Sequence, residues 1–148
     1  MKAVIQRVTS ACLKVNGETI SETGKGLVVY LGVMIGDTEK DGDEIVRKIA
    51  NMRIFEDENG KLNLSPLMIG GEILFVSQFT LAGDCRKGNR PSFTEAENPV
   101  RANELYEYSA SALAQTGLVV KKGVFGADMK INQHCDGPVT IIYDTRNK

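Results

Sequence analysis

The stretch "KAVIQRVTSACLKVNGETIS", residues 2–21, places apolar side chains with a period of two and sets Asn16-Gly17 between its halves. Period-two alternation is the mark of a strand with one buried face, and Asn-Gly between two such runs is a strong short-range hairpin signal. The segment predicts two antiparallel strands. Residues 26–35, "GLVVYLGVMI", are almost continuously apolar and rich in Val. That pattern suits a central strand covered on both faces. From Asp37-Thr38 the period changes: Ile45, Val46, Ile49 and Met52 mark an amphipathic helix with a capping residue at its start. "FEDENGKLNLS" (55–65) reads as a hairpin about Asn59-Gly60, and "EILFVSQFTLAG" (72–83) as a further strand.

After a polar, basic loop "DCRKGNRPS" (84–92), Asn98-Pro99 opens a second helix and Gly117 ends it after Thr116. Ala102, Leu105, Tyr106, Ser109 and Leu113 form its inner stripe. "LVVKKGVF" (118–125), "DMKINQHC" (128–135) and "PVTIIYD" (138–144) close the chain as strands. Strand runs joined by hairpins with two intervening helices predict an α+β fold, a mainly antiparallel barrel-like β-sheet with two main helices packed on it. With 148 residues, 42% hydrophobic, and no linker or repeat, the expectation is one domain over 1–148.

Composition removes several functional classes. The 18 basic and 19 acidic residues leave a net charge of -1, so no global positive field draws the chain to a polyanion. No apolar run approaches the ~20 residues of a membrane span, and the first residues lack a signal-peptide core. A soluble, cytoplasmic protein is expected. Cys12, Cys85 and Cys135 lack CxxC spacing and read as reduced thiols. His134 is the single histidine, no phosphate-binding glycine motif is present, and the acidic groups 41–44 and 56–58 suit a helix start and a solvated turn. Neither a metal nor a nucleotide cofactor is expected.

Two stretches call for chemistry. Ser77, Gln78 and Thr80 interrupt an otherwise apolar strand. They either meet water at a sheet edge or serve a site, because buried polar groups need partners. The second stretch is "HCDGPVT" (134–140), where Gly137-Pro138 stands between strand runs. Proline removes a ladder donor and belongs at a strand start, edge or bulge. The pair is either a plain turn or a cis bond, the minority conformer, which would turn adjacent carbonyls in similar directions as acceptors for a cation.

At these stretches the chain resembles the D-aminoacyl-tRNA deacylase family, through "AVIQRV" (3–8), "VSQFTL" (76–81), "KGNRPSF" (87–93), "GVFGADM" (123–129) and "DGPVT" (136–140). It departs from the family pattern at Cys135, where an Asn precedes the Gly-Pro turn. The resemblance implies hydrolysis of the ester joining a D-amino acid to tRNA, in a homodimer where the Gly-cis-Pro element of one subunit reaches the other's pocket. It also implies that L-aminoacyl esters are rejected and that glycine is accepted. Gly137 and Pro138 would then bind the α-ammonium, with Arg7 bracing their turn. The backbone of Ser77, Gln78, Phe79 and Thr80 would face the ester carbonyl. The resemblance also implies attack by a water assisted by the substrate's ribose 2′-hydroxyl, with Thr80 positioning; a threonine nucleophile would lack an obvious adjacent base. Phe125 and Met129 are candidate walls around the terminal adenosine, and Arg86, Lys87 and Arg90 candidate contacts to tRNA phosphates. A non-catalytic nucleic-acid-binding module, or a deacylase for another mischarged amino acid, is the alternative.

Overall fold

A computed structural model describes residues 1–147. The opening segment forms the expected hairpin, β1 (Lys2–Val15) and β2 (Glu18–Thr23), turning through Asn16 and Gly17, both at positive φ. The buried apolar run becomes β3 (Gly26–Gly32). Helix α1 (Glu39–Asn51) starts at Thr38, whose N–H donates to the Asp41 carboxylate at 2.9 Å, and buries Ile45, Val46 and Ile49. The short strands β4 (Phe55–Glu56) and β5 (Leu62–Leu64) pair about Asn59-Gly60. A one-turn helix, α2 (Pro66–Ile69), follows, capped by Ser65. The sequence pattern holds no sign of it because four residues contain no repeat of an apolar face.

Strand β6 (Glu72–Ser77) is shorter than the sequence pattern indicates, since the chain turns into a 310 helix over Phe79–Ala82. Helix α3 (Pro99–Gln115) is capped by Asn98, whose side chain accepts the Arg101 N–H at 3.0 Å, and buries its expected stripe. β7 (Val119–Lys122) and β8 (Lys130–Asp144) complete the chain. The two final strands expected from the sequence are one: β8 runs through Gly137-Pro138 as a bulge.

Strand β1 organises the sheet. One edge pairs antiparallel with β8, while the other pairs antiparallel with β3 over Lys2–Val8 and with β2 over Ala11–Val15. β3, β6 and β7 then run parallel. β7 returns against β2, where Ser21 donates to the Lys122 carbonyl at 2.6 Å and Lys121 to that of Glu22 at 2.7 Å. The result is a nearly closed, mixed, barrel-like sheet. Val8, Ala11, Leu13, Val28, Leu74 and Val76 pack on one face of it. Ile5, Leu27, Val29, Ile73 and Phe75 pack on the other, against Ile45 and Ile49 of α1 and Leu105, Tyr106 and Leu113 of α3. β3 and β6 are therefore covered on both faces, the physical reason for their unbroken apolar runs. No helix among the described residues is long and apolar enough to cross a membrane.

Candidate active site

At the C-terminal ends of the parallel strands β3 and β6, the sheet, the start of α3 and the segment 125–129 enclose a cavity of about 540 Å3. Ser77, Gln78 and Phe79 form one wall, Phe125 and Met129 another. Pro99, Ala102 and Tyr106 of α3 also line it. Tyr106 is anchored by its hydroxyl, which donates to the Phe75 carbonyl at 2.7 Å, and by stacking on Phe75 at 5.3 Å. Burial raises its pKa, keeping the phenol protonated at neutral pH. Phe79 meets Phe93 edge to face at 5.2 Å, and Phe125 tilts toward Tyr106 at 6.1 Å. Aromatic walls and few polar groups make a space suited to a flat, amphipathic ligand such as a nucleobase.

The turn after β6 supplies the polar element. The Gln78 N–H already donates to the Leu31 carbonyl at 2.8 Å, which removes it from the expected backbone donors and leaves those of Phe79 and Thr80 at the start of the turn. As the first residues of a 310 helix, these have no acceptor within the helix. The turn can lie this close to β3 because residue 32 is glycine: a Cβ there would stand 2.9 Å from that of Leu81 and 3.0 Å from the Gln78 carbonyl oxygen. Thr80 is exposed beside the cavity, and Glu97 is the one carboxylate in the lining. Its Oε1 accepts the backbone and side-chain N–H of Asn98 at 2.8 and 2.9 Å.

Gly137 and Pro138 lie elsewhere, exposed on β8, and are joined by a cis peptide bond. Cys135 pairs with Val8 and Thr140 with Gln6, so four residues of β8 stand opposite Arg7 alone. Bulges of this kind re-aim the chain locally. Gly137 has φ +123°, a region side chains avoid, and a Cβ on it would approach the Val139 nitrogen at 3.0 Å and Arg7 Nη2 at 3.2 Å. Arg7 is only 5% exposed. Its Nε donates to the Asp136 carbonyl and its Nη1 to the Ile54 carbonyl, each at 3.0 Å, with the Asp136 and Glu56 carboxylates at 3.4 and 3.8 Å. Cys135 is exposed and its sulfur accepts the Gln133 side-chain N–H at 3.1 Å.

The basic loop leaves the 310 turn at Asp84 and returns at Ser92, the two joined by reciprocal backbone bonds of 2.9 Å, beside the cavity residue Phe93. Arg86 is already engaged, gripping the Asp84 carboxylate at 2.7–3.0 Å and holding its pKa down to about 2. Lys87 and Arg90 are exposed and form no ion pair among the described residues. His134 is exposed on β8, apart from the cavity. Among the described residues no group of three or more His, Cys, Asp or Glu side chains could hold a metal.

Comparison with known proteins identifies the family of the chain. The profile described as D-Tyr-tRNA(Tyr) deacylase matches residues 4–144. The chain belongs to that family. Curated D-aminoacyl-tRNA deacylases from Syntrophus aciditrophicus and Persephonella marina are 51% and 53% identical to it over 146 residues, covering 99% of this chain and 98% and 99% of theirs. The deacylase fold is shared with a solved structure described as a probable eukaryotic D-amino acid tRNA deacylase, at TM-score 0.83 and 17% identity, over 96% of this chain and 97% of that one. A second solved structure, described as c-Myc DNA Unwinding Element Binding Protein, is 45% identical with TM-score 0.92, over 98% of this chain and 99% of that one. Of the expected deacylase residues, Ser77, Gln78, Phe79, Phe125 and Met129 share the cavity, while Arg7, Gly137 and Pro138 form a separate cluster. Phe93, Pro99 and Tyr106 are cavity residues that sequence reasoning passed over. Tyr106 sits on the buried stripe of α3, and nothing in a helical period separates a core side chain from one at a cavity floor.

Proposed function

We propose that this deacylase, whose relatives are named D-aminoacyl-tRNA deacylase, hydrolyses the ester between a D-amino acid and the terminal adenosine of tRNA, and that two copies of the chain complete each site. The observation that carries this reading is the division of parts. One chain holds the aromatic cavity and the turn Ser77–Thr80, yet presents Gly137 and Pro138 outward on β8, away from that cavity. In the proposed homodimer the Gly137-Pro138 bulge of one subunit faces the cavity of the other.

The chemistry then follows from geometry. The cavity takes the adenosine between Phe125, Met129 and the α3 side chains. The N–H groups of Phe79 and Thr80 stabilise the oxyanion that forms on the ester carbonyl, a role that needs no titrating side chain. Water attacks with help from the ribose 2′-hydroxyl, and the Thr80 hydroxyl positions it. The carbonyls of Gly137 and Pro138 accept the α-ammonium, which places an L side chain against the backbone and a D side chain in open space. Selectivity by exclusion admits many D-amino acids and also glycine, which has no side chain to exclude. Lys87 and Arg90 meet acceptor-end phosphates, and the reaction belongs in the cytoplasm, where aminoacyl-tRNA is made.

The test is hydrolysis of D-tyrosyl-tRNA beside L-tyrosyl-tRNA by purified protein without added metal or cofactor. Loss of the D ester alone is expected; cleavage of neither by folded protein would overturn the reading. A second reading, a nucleic-acid-binding module, takes its support from the 45%-identical structure, which is described as a DNA-element binding protein. Against it stand the net charge of -1 and an aromatic content of 6%, much of it enclosed in the core or cavity.

A further inference from the structure

The Gly137-Pro138 bulge is held on its buried side by Arg7, but a second set of contacts grips it from the opposite face of β1. Successive residues of a strand point to opposite faces, so Gln6 and Arg7 reach the bulge from different sides. The Gln6 amide uses both its ends. Its Oε1 accepts the Gln133 side-chain N–H at 2.7 Å, upstream of the bulge, and its Nε2 donates to the Thr140 hydroxyl at 3.4 Å, downstream. Gln133 is itself fixed, because its Oε1 accepts the Tyr30 hydroxyl at 2.6 Å while its Nε2 also reaches the Cys135 sulfur. One side chain of β1 therefore ties together the two flanks of a four-residue excursion that has no ladder bonds of its own to β1.

We infer that Gln6, with Gln133 and Thr140, is a positioning element that sets where the Gly137-Pro138 carbonyls stand, and so the sharpness of D/L discrimination. The inference rests on the reading of that pair as the chiral filter. A filter working by exclusion tolerates little displacement: a small shift of its carbonyls admits the L side chain before it harms binding of the D ester. Arg7 secures the bulge at Asp136, its first residue, while Val139, its last, packs against the core and pairing to β1 resumes at Thr140. The Gln6–Thr140 side-chain contact adds a restraint at that end on the other face of β1. The thiol of Cys135 adds a weak acceptor to the upstream arm, so the amide-to-amide bond between Gln133 and Gln6 carries most of the restraint there.

The test compares kcat and KM for D- and L-tyrosyl-tRNA, together with the melting temperature, in Gln6→Leu, Thr140→Val and Thr140→Ser, with Gly137→Ala as the reference for the filter. Gln6→Leu and Thr140→Val are expected to lower the D/L ratio of kcat/KM by about ten- to a hundredfold, mainly through faster cleavage of the L ester. Thr140→Ser, which keeps the hydroxyl, restores the ratio. A merely structural role would change the melting temperature and both substrates alike, leaving the ratio in place. An unchanged ratio in folded Gln6→Leu and Thr140→Val overturns the inference; if Gln6→Leu does not fold, the Thr140 pair decides. Should Gly137→Ala also leave the ratio unchanged, the filter reading falls and this inference with it. Collapse of the ratio in Gly137→Ala alone removes only the role of Gln6 and its partners.

Discussion

Arg7 ties β1 to the bulge of β8 and to residues 54–56. A buried guanidinium is tolerable only when its donors are matched, and here two backbone carbonyls and two carboxylates surround it. Charge-assisted bonds to buried groups contribute more than neutral ones. Arg7→Met is expected to lower unfolding free energy by about 2 kcal/mol, read from urea denaturation, because the Asp136 and Ile54 carbonyls lose their donor. Arg7→Lys recovers only part, since one ammonium cannot span both carbonyls in the geometry of a planar fork. The Asp84–Arg86 pair makes a pH-dependent statement at the same scale. The folded carboxyl titrates at about 2 rather than 3.8, so its small, solvent-screened contribution is complete above the higher value and disappears as pH falls through the lower one. An NMR titration of the Asp84 carboxyl with a midpoint near 2 is the expected result, and a midpoint near 3.8 would show that the pair does not persist in solution.

Strand ends, more than strand interiors, build the site. β6 carries four buried apolar residues and then releases Ser77, and the chain closes into a 310 turn against the end of β3. That closure requires a missing side chain at residue 32. Gly32→Val forces the Gln78–Leu81 turn away from β3 and is expected to reduce kcat/KM for D-aminoacyl-tRNA about a hundredfold, while the circular dichroism spectrum stays near that of the parent. β8 obeys the complementary rule. Proline cannot donate within a ladder, and the sheet accommodates it by bulging, with pairing to β1 resumed at Thr140. The sequence pattern separates two strands there because it registers the interruption but not the resumption of pairing.

The whole molecule leaves the cavity and the Gly137-Pro138 bulge apart on one chain, and the proposed homodimer joins them across subunits. This arrangement makes a prediction that a single-chain site cannot meet. Gly137→Ala impairs the bulge and Gly32→Val impairs the cavity turn. If each variant alone fails to cleave the D ester, mixing them with subunit exchange is expected to recover about a quarter of parental deacylation, since half of the dimers are mixed and each carries one intact site. No recovery, with subunit exchange verified, would place both parts of the site in the same chain.

The local sequence determined much of this on its own. Asn16-Gly17 and the alternation around it specify the first hairpin, the Val-rich runs specify strands covered on both faces, and Thr38 and Asn98 with Pro99 specify where α1 and α3 begin. Each signal lies within a few residues, where backbone sterics and periodic burial act directly. The motifs around residues 77–80 and 137–140 likewise direct attention to two places on the chain. Only the tertiary structure decided what lies near what: that Arg7 is buried beneath the bulge rather than solvated, that Tyr106 floors a cavity, that Asp84 engages Arg86, and that β3 and β6 run parallel. Those outcomes depend on which distant segments share an edge or a face, and pairing partners far apart in sequence leave no trace in the local pattern of either one.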